Sequence, residues 1–142
     1  MKNKSINEIM ELVEKGNVDA IYELAIRKHY GYGMKKDYNE AFNLFKNAAE
    51  KGNPDAQFWV AYKYLHGDGL QTNDEESEKW LIKSVKQNNA MAQWLLGILY
   101  LEGKENDIKI EENKEYGIEL LKKSAEQGYE EATKKLKEIS NI

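Results

Sequence analysis

Apolar positions along the chain follow a 3.6-residue period, which predicts amphipathic helices. Ala20, Leu24 and Ala25 mark one apolar face. The same types return 36 residues later as Ala56, Val60 and Ala61, and again as Ala92, Leu96 and Gly97. Asn17, Asn53 and Asn89 keep that interval, as do Gly31, Gly67 and Gly103. A fixed period of this length is the mark of stacked helical hairpins. Within each period the asparagine stands where an N-cap belongs, accepting bonds from the first free amides. Pro54 takes the first helical position, where its missing amide costs nothing. The glycine ends the helix.

A second helix follows in each period, predicted over about Tyr38–Lys51, Asp74–Gln87 and Glu112–Gln127. Its small residues Ala41 and Ala48 recur as Ser77 and Ser84, then four residues out of phase as Gly117 and Ser124, so four residues are inserted between Gly103 and Tyr116. Gly16, Gly52 and Gly128 end these helices. Ser5–Lys15 reads as a second helix without its first. Tyr129–Ser140, with Ala132 and Leu136, reads as a first helix without its second, and Lys134, Lys135, Lys137 and Glu138 suit the outside of a cap. With no strand or linker predicted, the expected organisation is one repeat domain over 1–142: a cap at 5–16, repeats at 17–52, 53–88 and 89–128, and a cap at 129–142.

Composition narrows the function classes. The 142 residues include no cysteine, which excludes a disulfide scaffold, an iron–sulfur centre and a thiol nucleophile. Charged residues make up 32%, yet 11% aromatics argue for a packed core over disorder. No apolar run approaches the ~20 residues that span a bilayer. The start, Met1–Glu8, shows no apolar leader core, so the expected location is the cytoplasm. The net charge of −4 disfavours nonspecific nucleic-acid binding, and lysines alternate with acids instead of forming a stripe.

The repeated columns resemble the Sel-one-like repeat family, a relative of the tetratricopeptide repeat. The family pattern runs roughly Ala-x-x-x-Leu-Gly-x-x-Tyr-x-x-Gly-x-Gly, then Asp, then Lys-Ala-x-x-Trp-x-x-Lys-Ala-Ala-x-x-Gly. The first copy carries Ala20, Leu24, Ala25, Gly31, Gly33, Asp37, Ala41, Ala48, Ala49 and Gly52. The second carries Ala56, Val60, Ala61, Tyr64, Gly67, Gly69, Ser77 and Trp80. The third carries Ala92, Leu96, Gly97, Tyr100, Gly103, Leu120, Lys123, Ser124, Ala125 and Gly128. Lys28 replaces the tyrosine in copy one, and Glu105 replaces the second glycine in copy three. The resemblance implies an all-α, right-handed α-solenoid of three helix-turn-helix repeats plus terminal capping helices. It also implies a concave surface lined by the first helices and a non-enzymatic adaptor role.

Candidate chemistry is sparse. Gly31-Tyr32-Gly33 and Gly67-Asp68-Gly69 lack the preceding strand and following Lys-Ser/Thr of a phosphate loop and read as turns. His29 and His66 fall near the ends of equivalent helices, where a protonated imidazole gains from the helix dipole. A metal site would need more ligands than Asp68 beside His66. Asp74-Glu75-Glu76 and Glu111-Glu112 read as helix-start acids. No cofactor, metal or catalytic set is expected.

The aromatic residues are more informative. By analogy with tetratricopeptide repeats, first-helix residues outside the packing columns line the groove. These are Tyr22, Ile26 and Tyr30, then Phe58, Trp59, Tyr62 and His66, then Trp94, Leu95, Ile98 and Leu101. Phe58, Tyr62 and His66 step by four and share a face. Tyr22, Phe58 and Trp94 form a column that is commonly aromatic in the family and fits core packing. Trp59 stands where the family usually has a polar residue; Trp59 and Tyr62 fit either a groove or tighter superhelical packing. The insertion Lys104–Glu111, with Ile108 and Ile110, adds a second candidate surface.

The expected function is therefore a protein- or peptide-binding module acting through its concave face. Its concrete form is an immunity protein neutralising a basic toxin domain, with no nucleic acid or membrane partner. The alternatives are a small hydrolase using His66 and a self-associating scaffold.

Overall fold

A computed structural model describes residues 1–67, 70–103 and 113–140. The helices among them are α1 (Ile6–Glu14), α2 (Val18–Tyr30), α3 (Tyr38–Glu50), α4 (Pro54–His66), α5 (Asp74–Lys86), α6 (Ala90–Glu102), α7 (Lys114–Glu126) and α8 (Glu130–Ser140). No strand occurs among the described residues. The chain divides into two compact units, Met1–Asn73 and Asp74–Ile142. In the first, α1 packs on α2, α2 on α3 and α3 on α4; in the second, α5 packs on α6, α6 on α7 and α7 on α8.

The helix starts follow from their side chains. Asn17, Asn53 and Asn89 each accept from the amide three residues on, at 2.8–3.0 Å. Asp37 and Asn113 do the same for α3 and α7. Ser5 and Glu8 form a reciprocal capping box on α1. The third second helix begins at Lys114 behind Asn113 instead of at Glu112; Glu111, Glu112 and the Lys104–Glu111 insertion lie outside the described residues.

Each hairpin closes with one recurring backbone bond. Asp37 donates to the Lys28 carbonyl at 2.9 Å, Asn73 to Tyr64 at 2.9 Å and Asn113 to Tyr100 at 2.6 Å. The insertion thus leaves the closing bond of the third turn in place. The lysine that departs from the family pattern has a physical replacement too. Tyr100 packs on Tyr116 with ring centroids 5.3 Å apart. The equivalent pair in the first hairpin, Lys28 and Glu40, forms an ion pair at 2.9 Å.

The helix ends depend on positive φ. Gly16, Gly52 and Gly128 have φ of 79°, 99° and 87°, and the equivalent Asn88 adopts 62°. Asparagine tolerates that region better than other residues with a Cβ. In the second unit α6 and α7 meet at Gly97 and Gly117. A Cβ on Gly97 would lie 2.9 Å from the Gly117 carbonyl oxygen, and one on Gly117 would lie 2.6 Å from that of Gly97. The matching residues of the first unit are Ala25 and Ala41, both fully buried.

Candidate functional site

The first unit holds a continuous network of aromatic rings, and most of the sequence-predicted site residues of that unit belong to it. Trp59 on α4 is its centre. Its indole stacks on Phe45 of α3, with centroids 5.3 Å apart and planes 11° apart. It lies 4.9 Å from the His29 ring and 6.1 Å from Tyr30, both on α2. Its Nε1 donates to the Tyr22 hydroxyl at 3.3 Å. Trp59 is therefore a packing residue between α2, α3 and α4 that keeps one side partly open, being half-buried. Tyr62 lies one turn further along α4, 5.8 Å from Trp59, and His66 stands 4.2 Å beyond it. Tyr62 is half-buried and His66 exposed, whereas Phe58 is buried at 4% exposure and adds bulk beneath the surface.

Tyr32 extends this face and is absent from the groove set read off the sequence, which treats it as part of a turn. Gly31 and Gly33 have φ of 75° and 69°. The turn they form folds Tyr32 back onto Tyr30, with centroids 5.1 Å apart and planes 14° apart. Tyr30 is 44% exposed and Tyr32 58%, so this stacked pair is open to solvent. Ile26, one turn before Tyr30, is half-buried. The usable signal in the sequence is the aromatic between two glycines, which no core requirement explains.

The floor of the face is polar where a repeat core is normally apolar. Lys63 is fully buried. Its Nζ lies 2.8 Å from His29 Nδ1, and 4.7 Å above the Tyr38 ring. Two protonated nitrogens cannot share such a contact. One of the two nitrogens therefore donates and the other accepts, with the roles set by the state of the imidazole. Arg27 occupies the same column one repeat earlier and pairs with Glu23 at 3.1 Å. One repeat later the column holds Leu99.

Burial pushes the Tyr22 hydroxyl up to about 12, with the Asp55 carboxylate adding to the effect. The Tyr30 hydroxyl is also raised, first by burial and then by Tyr32 and Tyr62. Both therefore act as neutral hydroxyls at ordinary pH.

The second unit is built differently. Trp94 is half-buried, 5.7 Å from Tyr129. Leu95 is buried, and Ile98 and Leu101 are half-buried. Leu101 lines a hollow with Ile118 and Ile139, whose rim includes Glu102 and Lys135, an ion pair.

Among the described residues no three His, Asp or Glu side chains are placed to hold a metal, and no helix is long and apolar enough to cross a membrane. His66 has the Tyr62 ring beside it; Asp68, its nearest carboxylate in sequence, lies outside the described residues.

Comparison with known proteins bears on this arrangement. The family model for the Sel1 repeat matches residues 18–53, 54–89 and 90–129. Among solved structures, a protective antigen of uropathogenic Escherichia coli with an SLR fold is 31% identical, with a TM-score of 0.78. The match covers 87% of this chain and 26% of that one, so this chain spans about a quarter of that protein. A Sel1 repeat protein from Oxalobacter formigenes is 28% identical with a TM-score of 0.77, covering 94% of this chain and 97% of that one. Among curated proteins the comparison finds no match. Sel1 repeats generally mediate protein–protein interaction, and their solenoid fold is typically non-enzymatic.

Proposed function

The chain belongs to the Sel1 repeat family, and from that premise we propose that it is a non-catalytic module that binds a protein partner through the aromatic face of α2 and α4. The observation that carries this reading is the exposure of a stacked tyrosine pair, Tyr30 and Tyr32, on a network anchored by Trp59. Exposed aromatic clusters on a rigid scaffold are characteristic of binding surfaces, and tyrosine is a favoured anchor. The interior contacts of Trp59 hold the exposed rings in place, so little ordering is needed on binding.

In its concrete form this is an immunity protein that neutralises a basic toxin domain in the bacterial cytoplasm. The net charge of −4 supports that version, since opposite charge speeds encounter. Trp94, Ile98 and Leu101 of α6 serve the same reading on the second unit. The test is affinity capture from the native cell with the wild type and with a Tyr30→Ser, Tyr62→Ser variant. Both sites are at least partly exposed, so the variant folds, which circular dichroism verifies. Loss of one specific protein from the captured set supports the assignment; capture unchanged by a folded variant removes it.

A further inference from the structure

We propose that the hollow beside Tyr32 receives a carboxylate-bearing segment of a protein partner. This rests on the protein-binding reading above and adds the chemistry of one contact.

The hollow, about 430 Å³, is lined by Lys2, Lys4, Ile26, Arg27, Tyr32 and their neighbours. It is built by Arg27. The guanidinium Nη2 donates to the carbonyl oxygens of Met1 at 3.4 Å, Lys2 at 3.3 Å and Lys4 at 2.7 Å. Lys4 also donates its amide to the Met1 carbonyl at 3.0 Å, closing a turn. The segment is thereby pinned against α2, and its two lysines stand on the rim. The equivalent side chains of the later repeats, Lys63 and Leu99, are buried.

The charge of the hollow is opposite to that of the chain. Arg27 and Glu23 neutralise each other as a close pair. Lys2 and Lys4 remain, on a protein whose net charge is −4. Lys4 pairs with Glu8 at 3.9 Å, an exposed pair of little strength. Ile26 and the Tyr32 ring supply apolar wall. The complementary ligand is an acidic segment that carries an aliphatic side chain next to its carboxylate. A partner that is basic elsewhere can carry such a segment at the edge of its footprint.

Two acetylated peptides test this, one alternating leucine and glutamate and one with lysine in place of glutamate. They are titrated into the isotopically labelled protein and followed by amide shifts. The expected result is saturable shifts at Ile26, Tyr32 and Gly33 with the acidic peptide and none with the basic one. Lys2→Glu with Lys4→Glu, both exposed positions, should weaken the acidic peptide at least tenfold. Equal response to both peptides, response to neither, or indifference to the double substitution overturns the proposal. A wild-type protein that captures a partner through Tyr30 and Tyr62, yet does not respond to the acidic peptide in this titration, sinks only this inference and leaves the aromatic face standing.

Discussion

The two units solve the same packing problem with different chemistry. One column holds Arg27, Lys63 and Leu99; another holds Glu23, Trp59 and Leu95; a third holds Ala25, Ala61 and Gly97. The second unit fills its columns with leucine and lets α6 and α7 meet backbone to backbone at Gly97 and Gly117. The first unit buries Lys63 and pairs Glu23 with Arg27, with aromatic rings around them. Burying a cation lowers stability unless its partners compensate. The difference teaches that one repeat column can be filled by a buried polar contact in one unit and by leucine in the other.

The contrast can be broken most severely at Lys63. Lys63→Ala removes a fully buried side chain and its contact with His29 Nδ1. The expected loss is about 3–5 kcal/mol, read as a shift in the urea midpoint. Hydrogen exchange should show the loss in α2–α4 first. Gly97→Ala is the matching lesion in the second unit. Its methyl would meet the Gly117 carbonyl, which cannot move without parting the helices, so the loss should reach about 3 kcal/mol, the upper end for overpacking. Exchange should then accelerate in α6 and α7.

Alkaline titration separates the units next. Tyr22 has a folded-state pKa of about 12 against an ordinary 10.0. Below pH 10 both folded and unfolded forms are protonated and the shift is without effect. Between pH 10 and 12 only the unfolded form ionises, so stability falls across that window by on the order of 2 kcal/mol. Tyr22→Phe should flatten that part of the profile. A sharper test replaces the polar pair by the residues that the second unit uses, Lys63→Leu with His29→Leu. Substituting a buried polar pair by apolar groups is often neutral or stabilising, so the double variant should stay within about 1 kcal/mol of wild type. The smallest effect is expected at Tyr32, where Tyr32→Ala should change stability by less than about 0.5 kcal/mol while weakening the partner complex.

The repeat architecture was legible because helical periodicity, asparagine caps and terminal glycines are local signals. The second-helix start at Lys114 was harder, since Glu112 and Asn113 both suit a helix start and only the Asn113–Tyr116 bond decides. Trp59 was ambiguous for a different reason. Its column places it on the first-helix face, but its contacts with Phe45 and Tyr22 depend on how α2, α3 and α4 close on one another. The role of Arg27 was illegible, because its ligands are backbone carbonyls more than twenty residues away. The contact between Lys63 and His29 is not legible in the sequence, because no local pattern announces it.

The most direct measurement is the footprint of the captured partner on the isotopically labelled protein, read as amide shifts on complex formation. The account predicts a footprint that includes Tyr30, Tyr32 and Tyr62, with Tyr30→Ser and Tyr62→Ser together weakening the complex by more than about 2 kcal/mol, roughly thirtyfold. A footprint confined to α7 and α8, with affinity untouched by those substitutions, would contradict it.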